Sequence, residues 1–418
     1  MTGTGALHGR RPERPAAELI QAVDLAAASR AVAAGVKRTP TIDCPELGEL
    51  LGSPVALKAE CLQATGSFKL RGALSRIAAL GPLASAGLVT ASAGNHGRAV
   101  AAAARLRGLD CEVFMPRDAS VSKVLAVEAL GAHVRLQGSS VDEALEQAIA
   151  RGEETGAAFV HPFDDLDVIA GQGTLGLELL EDVPEMVRVI VPVGGGGLAS
   201  GVGVALRGAM RPVELLGVQA AACAPFADIL DGRAGHSATA ATIADGIAIK
   251  RPGALTLPLL RELLSAVRTV HEDEIAAGMV FLAERAKLVS EGAGAVGVAV
   301  LLGGKLAPVD GTTVVIVSGG NVDSGLLASL LLRHETEEGR RVRLFTRVPD
   351  RPGGLAELLV LVARTRANVV SVEHLREAVA LHVRETGVEL TLETRGPQHT
   401  EQVLAALLEG GYDASIAG

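Results

Sequence analysis

Residues 63–73 read QATGSFKLRGA and lie between a predicted strand at 55–57 and a predicted helix. Lys69, one of seven lysines in the chain, stands at the start of that helix. The first helical turn carries free N–H groups and the positive end of the helix dipole, which disfavours a protonated amine by about 0.3–1 kcal/mol. Lys69 is therefore a candidate Schiff-base nucleophile, and an ordinary surface lysine is the alternative from this segment alone.

Apolar runs of strand length alternate with Ala-rich stretches of helix length from residue 55 to residue 320. This alternation predicts an α/β fold with parallel sheets and helices on both faces, where ligands bind beyond the carboxyl ends of the strands. Predicted helices include 95–107, 120–130 and 198–209. The predicted strands are 55–57, 88–89, 111–115, 134–136, 187–193, 213–218 and 314–317.

A run of glycines, VGGGGL at 193–198, follows one of these strands and precedes a helix. Without side chains, the backbone can turn its N–H groups onto a phosphate. A dinucleotide site is the competing interpretation, because Gly194, Gly196 and Ala199 have the required spacing. That site needs an acidic residue at the end of the next strand to hold a ribose, and Gln219 stands there instead. The run therefore favours a phosphate site.

Two further segments follow predicted strands. Residues 90–97 read TASAGNHG and open a helix, where free N–H groups form an anion site suited to a carboxylate. A helix N-cap without a ligand is the alternative for this segment. Residues 316–321 read IVSGGN at the end of the last strand, where Ser-Gly is also a common turn dipeptide. Both segments are candidate ligand-binding loops.

Taken together in their order along the chain, the segments 63–73, 90–97, 193–198 and 316–321 resemble the motifs of the threonine and serine dehydratases, which are fold-type-II pyridoxal-phosphate enzymes. The resemblance covers roughly residues 15–333. It implies two open parallel-sheet subdomains of the tryptophan synthase β-like architecture, with a small subdomain at about 55–156 inserted in the large one. It also implies pyridoxal 5'-phosphate as cofactor and the conversion of L-threonine, and of L-serine as well, to an oxoacid and ammonia.

The resemblance also assigns roles to individual residues. Lys69 is expected to carry the cofactor and to be the catalytic residue that removes the α-proton. The expected cofactor-binding residues are Lys69, Phe68, Asn95, Gly194, Gly195, Gly196, Gly197, Leu198 and Ser318. The expected substrate-binding residues are Ser92, Ala93, Gly94, Asn95 and His96. Glu291, in the family-like segment SEGAGA at 290–295, either lines the site or begins a helix as an N-terminal acid.

Ser318 and Ala93 bear on the type of reaction. Ser318 is expected at the pyridine nitrogen, where a neutral hydroxyl makes the ring a weaker electron sink and favours elimination. Ala93 stands where related racemases carry a serine, and its methyl group cannot transfer a proton. Residues 242–253, TIADGIAIKRPG, resemble the threonine ammonia-lyase form of this segment. A serine-preferring dehydratase and a non-catalytic amino-acid sensor are the alternatives.

No metal ion is expected. Relatives that bind a divalent cation use a Glu where this chain has Gln219 and a carboxylate where it has Pro225, and a neutral amide is a poor ligand for a hard cation. Asp164, Asp165 and Asp167 are interpreted as caps of the following helix rather than as a cation cage.

The pattern changes after a charged stretch, HETEEGRR at 334–341, which is predicted to be a linker. Residues 342–418 predict a ferredoxin-like βαββαβ unit. Its strands are expected at 342–348, 369–374, 388–393 and near Tyr412, and its helices at 352–366 and 397–409. The segment VPDRPGGL at 348–355 resembles the first loop of ACT regulatory domains, which bind amino acids between paired copies. Asp350, Gly353 and Gly354 are the candidate regulatory residues, and a domain used only for dimerisation is the alternative.

Composition limits the remaining classes of protein. A net charge of −9 and 2% aromatic residues argue against nucleic-acid binding by stacking. No apolar run is long enough for a membrane span, and residues 1–14 predict a flexible tail rather than a signal peptide. The four scattered cysteines are typical of a reduced cytoplasmic protein. The expected partners are an amino-acid substrate, an amino-acid effector and further copies of the chain in a homodimer or homotetramer.

Overall fold

The computed structural model describes residues 14–233, 241–376 and 384–417, so the predicted tail lies outside it except for Arg14. The chain divides into two compact units, Met1–Val322 and Asp323–Gly418, which are described separately below. Across the described ranges, no helix is both long and apolar enough to cross a membrane. All four cysteines are buried and free.

The first unit alternates strands with helices, as the sequence predicts. Its strands are β1 (Thr41–Asp43), β2 (Val55–Ala59), β3 (Leu88–Ala91), β4 (Cys111–Met115), β5 (His133–Leu136), β6 (Ala158–Phe159), β7 (Met186–Pro192), β8 (Glu214–Ala220), β9 (Ala266–Val270) and β10 (Thr312–Val317). Its helices are α1 (Ala16–Ala22), α2 (Leu25–Val32), α3 (Pro45–Leu51), α4 (Lys69–Leu80), α5 (Asn95–Arg107), α6 (Val121–Glu128), α7 (Val141–Thr155), α8 (Leu166–Asp182), α9 (Gly197–Leu206), α10 (Pro225–Leu230), α11 (Thr256–Leu263), α12 (Glu272–Glu284) and α13 (Gly292–Leu302).

The larger sheet has the strand order β1-β2-β10-β7-β8-β9. Only its edge strand β1 is antiparallel, and the other pairs are parallel. β10 and β2 are buried along their whole length, which explains their continuous apolar runs. Because parallel strands end at the same edge of the sheet, the loops after β2, β7 and β10 lie together.

The smaller sheet has the order β5-β4-β3-β6, and all of its pairs are parallel. Its core contains the apolar faces of α4 and α5, including Leu70, Leu74, Ala99 and Val100. β3 ends directly before the segment that begins at Ser92. The α/β class with parallel sheets is thus confirmed.

Close packing of α8 against α9 fixes the start of α9. A Cβ on Gly201 would overlap the carbonyl oxygen of Ile169, and a Cβ on Gly173 would lie 2.8 Å from the carbonyl oxygen of Gly201. Glycine at these positions lets the two helices approach closely.

The structure differs from the expected extent of the small subdomain. β2, which begins at Val55, pairs with β10 and therefore belongs to the larger sheet, whereas β6 at 158–159 belongs to the smaller one. The chain thus enters the smaller sheet at β3. β1, β6 and β9 are not among the strands predicted from the sequence. β1 and β6 are short, and β9 has the sequence AVRTV with only its last residue buried.

The second unit contains a four-stranded antiparallel sheet of order β12-β13-β11-β14. Alternate residues of β11 and β13, such as Leu344 and Leu390, form its core with Leu358 and Val403 from the helices. The βαββαβ order agrees with the order predicted from the sequence. The elements are α14 (Ser324–Glu337), β11 (Arg341–Pro349), α15 (Gly354–Arg364), β12 (Asn368–Leu375), β13 (Glu385–Glu393), α16 (Pro397–Glu409) and β14 (Ser415–Ile416).

The stretch predicted to be a linker at 334–341 is mostly not one. Its first four residues complete α14, and its last residue begins β11. Ion pairs between Arg333 and Glu337 and between Arg340 and Glu335 keep this charged sequence ordered. The last strand is also displaced from its expected position, because Tyr412 is buried in the core and β14 follows three residues later.

Candidate active site

Lys69 is the first residue of α4. Its Nζ atom donates a hydrogen bond to the carbonyl oxygen of Pro162 at 2.8 Å and lies 5.2 Å from the centre of the Phe68 ring. Loss of water around the ammonium group lowers the pKa of Lys69 to about 8, although the charge of Glu291 opposes this change. The neutral amine is therefore accessible near physiological pH, which suits a nucleophile.

Ser318 lies beside the start of α4 because the loops after β2 and β10 are hydrogen bonded to each other. Phe68 N donates to Ser318 O at 3.1 Å, and Gly320 N donates to Gly66 O at 2.9 Å. A bridge between Ser67 and Gly319 completes this short antiparallel contact. Two predicted cofactor-binding segments are thus brought together.

The loop after β3 reaches the same place from the smaller sheet. Asn95 begins α5, and its Nδ2 atom donates to Glu291 Oε1 at 2.6 Å. Asn321 Nδ2 donates to Asn95 Oδ1 at 2.7 Å. Within the same loop, the Ser92 hydroxyl accepts from Gly94 N at 3.1 Å. The site therefore lies between the two sheets of the first unit.

His96 is oriented differently from the other predicted substrate residues. Its ring is buried, and Nε2 lies 3.0 Å from the carbonyl oxygen of Val160, so this nitrogen carries the proton. Burial lowers the pKa of His96 to about 3, and the nearby Lys69 charge acts in the same direction. The imidazole is thus neutral and committed to the backbone, and only the N–H of His96 in the first helical turn remains for an anion.

The glycine run forms a turn between β7 and α9. Gly196 has φ +94°, and a Cβ on Gly194 would lie 2.9 Å from Ile247 Cα. A Cβ on Gly195 would overlap the ring of Phe163. The Gly195 carbonyl oxygen accepts from Thr256 Oγ1 at 2.7 Å, which fixes the peptide orientation. The first N–H groups of α9, beginning with those of Gly197 and Leu198, have no acceptor within the helix, and such groups can bind an anion.

Glu291 lines the site. It precedes α13, but its side chain makes no capping hydrogen bond and is directed to Asn95 instead. Burial raises the pKa of Glu291 to about 7, the charge of Asp245 adds to this, and the hydrogen bond from Asn95 opposes it. Of the two interpretations of Glu291, the structure favours a residue of the site.

The three aspartates serve two different helices. Asp165 caps α8 by accepting from Asp167 N and Val168 N, as predicted. Asp164 instead accepts from the backbone at the start of α11, including Leu255 N at 2.8 Å. Asp167 pairs with Arg76 at 2.7 Å. The helix-cap interpretation is therefore right for Asp165. It is wrong for Asp164, which caps α11 instead of the helix that follows it, and for Asp167, whose side chain pairs with Arg76.

Gln219 is buried, and its amide is committed to the backbone. Its Oε1 accepts from Phe226 N and Ala227 N, and its Nε2 donates to Val193 O at 3.0 Å. In the described part of the chain, no group of three or more His, Cys, Asp or Glu side chains has a metal-binding arrangement.

Several residues of the site were not predicted from the sequence. Pro162, whose carbonyl oxygen accepts from Lys69, and Phe163 follow β6, a strand that was not predicted. In the same loop, His161 Nδ1 accepts from Asp164 N at 2.8 Å. Asn321 lies in the candidate ligand-binding loop 316–321 but is not among the residues expected to bind a ligand. A polar residue directly after a strand end was the signal that would have identified it.

The residues present fit a phosphorylated aldehyde cofactor. The amine of Lys69 is hydrogen bonded to Pro162, and the adjoining Phe163 packs against a glycine turn that has no room for side chains. The hydroxyls of Thr65 and Ser67, in the loop before Lys69, are buried without a protein hydrogen-bond partner. An unpaired buried hydroxyl costs about 1–3 kcal/mol, so a polar ligand would relieve it.

Two mainly parallel sheets with a partly buried amine and a glycine turn near their carboxyl edges are typical of an enzyme that uses a phosphorylated aldehyde cofactor. Residues 32–319 match the sequence model of the family described as pyridoxal-phosphate dependent enzyme. The chain belongs to this family, and its cofactor is pyridoxal 5'-phosphate.

Similar proteins agree with this assignment. An L-threonine ammonia-lyase of Thermotoga maritima is 44% identical and covers 96% of this chain and 100% of its own length. An L-threonine ammonia-lyase of Geobacter sulfurreducens is 43% identical, with 90% of this chain and 94% of its own length covered. The structure of the processed form of a threonine deaminase from Solanum lycopersicum has a TM-score of 0.70 and 30% identity, covering 78% of this chain and 93% of its own. A serine racemase from maize has a TM-score of 0.70 and 35% identity, covering 76% and 98%.

Proposed function

We propose that the protein is an L-threonine ammonia-lyase that converts L-threonine to 2-oxobutanoate and ammonia, and that also acts on L-serine. The observation that carries the proposal is the amine of Lys69, placed at the start of α4 with a pKa of about 8 and hydrogen bonded to Pro162, the residue before the Phe163 that packs against the glycine turn. The similarity to two L-threonine ammonia-lyases over at least 90% of the chain supports the choice of substrate.

The cofactor supplies an aldehyde for an amine to capture and a ring that withdraws electrons from the substrate. Lys69 would hold it covalently beside Phe68. The N–H groups from Gly194 to Leu198 would bind its phosphate, and the Ser318 hydroxyl would hydrogen-bond its ring nitrogen. Asn95 would contact the ring oxygen. Each of these residues lies in a loop at the carboxyl edge of a sheet or in the helix that follows it.

Lys69 would also move the proton in the reaction. As a free amine it accepts the α-proton of the substrate, and its lowered pKa makes that form available near neutral pH. The substrate carboxylate would bind at the start of α5, where Ser92, Gly94 and Asn95 present polar groups and helix N–H groups. Removal of this proton lets the β-hydroxyl leave as water after it takes up a proton, and hydrolysis of the resulting enamine by one water then gives 2-oxobutanoate and ammonia.

Ala93 supports a lyase rather than a racemase. Its side chain packs against the core of the smaller sheet and carries no transferable proton. A fold similar to serine racemase therefore does not bring the residue needed to protonate the opposite face of the substrate. The sequence places serine among the expected substrates, and turnover of threonine and serine is to be compared directly.

We also infer that the second unit is an ACT-type domain that regulates the enzyme and joins copies of the chain in a homodimer or homotetramer. Its βαββαβ order and the turn from β11 to α15 support this inference. Gly353 has φ +93° and precedes the helix, and a Cβ on Gly354 would lie 2.5 Å from Pro349 O. Asp350, Gly353 and Gly354 would thus form a compact loop at a helix start for an amino-acid effector. Threonine kinetics with and without isoleucine or valine test this inference.

The proposed activity is tested with purified protein supplied with the cofactor and L-threonine. Wild-type protein is expected to form 2-oxobutanoate, and Lys69→Ala is expected to lose both turnover and the absorbance of the covalently held cofactor. Formation of 2-oxobutanoate at an undiminished rate by Lys69→Ala would refute the assignment. A colourless wild-type protein would favour the sensor alternative, and a higher kcat/KM for serine would favour a serine-preferring dehydratase.

A further inference from the structure

The chain contains only three asparagines, and two of them are hydrogen bonded to each other in the candidate site. Asn321 Nδ2 lies 2.7 Å from Asn95 Oδ1 and 2.8 Å from the carbonyl oxygen of Thr65. Asn95 Nδ2 lies 2.6 Å from Glu291 Oε1. These contacts form a continuous chain of hydrogen bonds through four segments that are distant in sequence.

The direction of this chain follows from its backbone end. A carbonyl oxygen only accepts hydrogen bonds, so Asn321 must present its NH2 group to Thr65. The same NH2 group faces Asn95, which must therefore present its oxygen to Asn321. The NH2 group of Asn95 is then left facing Glu291 and the site. Turning either amide over would bring two donors or two acceptors together.

The position of Asn321 is itself fixed by the backbone. The segment 318–321 is joined to the segment 65–68 through Phe68 N to Ser318 O and Gly320 N to Gly66 O. Gly66 makes room for the amide, because a Cβ at its φ of +77° would lie 2.5 Å from Asn321 Oδ1. Asn321 is thus held in one place before any ligand binds.

We propose that Asn321 is a positioning residue that fixes the orientation of the Asn95 amide, so that Asn95 offers a hydrogen-bond donor to the cofactor. This inference rests on the proposed function, in which Asn95 contacts the cofactor's ring oxygen. A donor at that oxygen stabilises its negatively charged form, whereas an inverted amide would present an acceptor and repel it. Asn321 therefore acts on the electronic state of the cofactor without touching it.

The test is Asn321→Asp, which preserves shape but removes the NH2 group from both of its hydrogen bonds. Holoenzyme of this variant is expected to show a shifted cofactor absorbance maximum and an affinity for pyridoxal 5'-phosphate weakened about tenfold. The matched control is Asn368→Asp, the same change on the exposed strand β12, where the Asn368 amide donates to Glu393 at 2.8 Å. The control is expected to retain the wild-type spectrum and affinity. A wild-type spectrum and affinity in Asn321→Asp would overturn the proposal.

A double-mutant cycle with Asn95→Ala distinguishes positioning from a general structural role. If Asn321 acts through Asn95, adding Asn321→Asp to Asn95→Ala will change cofactor affinity less than about twofold. A full loss of about tenfold in that background would overturn the proposal. If Asn321→Asp does not fold, Asn321→Ser replaces it, because a serine side chain is too short to span both contacts.

These readouts need no substrate. A wild-type protein that binds the cofactor but does not act on threonine would refute the proposed function and leave this test valid. A wild-type protein that acts on threonine, together with an unaltered Asn321→Asp spectrum and affinity, would refute this inference alone.

Discussion

Lys69 is partly buried and Glu291 is buried in the site, and this burial moves both pKa values towards neutrality. The pKa of Lys69 falls to about 8, and that of Glu291 rises to about 7. Each charge stabilises the other, so the protonation of one group depends on the state of its neighbour. The capture of an aldehyde by Lys69 is therefore expected to depend on pH in a range where ordinary lysines are fully protonated.

A prediction about the apoenzyme follows from this coupling. Below about pH 8 Lys69 is mainly an ammonium, and above it mainly a free amine, so the rate of cofactor incorporation should rise with pH through a midpoint near 8 and level off at higher pH. Glu291→Gln removes the charge that raises the Lys69 pKa, so the midpoint of this profile should move to lower pH. Stopped-flow absorbance of apoenzyme mixed with pyridoxal 5'-phosphate measures it. Glu146→Gln, at an exposed position of α7, is the control. An unchanged or higher midpoint in Glu291→Gln would contradict the prediction.

The individual site segments were accessible from the sequence, but the contacts among them were not. Lys69, Ser318 and the glycine run each follow a strand, and a parallel sheet brings such positions together. The hydrogen bonds that Asn95 donates to Glu291 and accepts from Asn321 join residues 196 and 226 positions apart. No local pattern encodes such a pairing, because it depends on how the two sheets face each other. The hydrogen bond between the buried His96 ring and the Val160 carbonyl likewise depends on the fold and not on any local pattern.

At the scale of elements, the glycine turn depends on the aromatic ring that packs against it. Gly195→Ala would drive a methyl group into the ring of Phe163 and displace the turn, at a cost of about 1–3 kcal/mol. We predict a weakening of cofactor affinity of about ten- to a hundredfold, measured by fluorescence titration. Phe163→Ala in the same chain should restore part of the affinity. The control is Gly48→Ala in α3, where the added methyl meets nothing closer than 3.4 Å. Equal affinities for Gly195→Ala and the control would argue against a phosphate site here.

A buried ionic network anchors α4, the helix that begins with Lys69. Arg71 is fully buried and pairs with Glu60 at 2.8 Å and with Glu178 of α8 at 2.7 Å. The buried Lys58 of β2 pairs with the same Glu178 at 2.8 Å. These ion pairs connect β2, α4 and α8.

Removal of one partner from this network should be costly. Arg71→Met leaves Glu60 as an uncompensated buried charge, and we predict a loss of about 3–5 kcal/mol in the free energy of unfolding. Urea denaturation of the cofactor-free protein measures it, with Arg105→Met on the exposed end of α5 as the control. A loss below about 1 kcal/mol in Arg71→Met would show that the network does not hold α4.

The sequence predicted most elements well where burial is continuous, and poorly where it is not. The strands of the sheet centres, such as β10, read as unbroken apolar runs and were found to within about two residues. β9 was missed because an edge strand alternates and carries Arg268. The charged end of α14 was predicted to be a linker. Ion pairs between successive helical turns stabilise it, and they leave no periodic pattern of apolar residues in the sequence.

At the scale of the whole molecule, the chain combines an α/β unit that contains the site with a separate antiparallel unit. Only the first unit supplies the residues proposed to bind cofactor and substrate. The family match and the L-threonine ammonia-lyase relatives agree with this division, since the matched region ends at residue 319 and the relatives extend over nearly the whole chain. The proposed activity therefore depends on a single covalent attachment in the first unit, that of the cofactor to Lys69.

That attachment is tested most directly by reducing the holoenzyme with borohydride and locating the label by peptide mass spectrometry. We expect a phosphopyridoxyl group on the peptide containing Lys69, and none on peptides containing the other lysines. The label should disappear in Lys69→Ala. A label on a different lysine, or a catalytically active holoenzyme in which Lys69 remains unlabelled, would contradict the account.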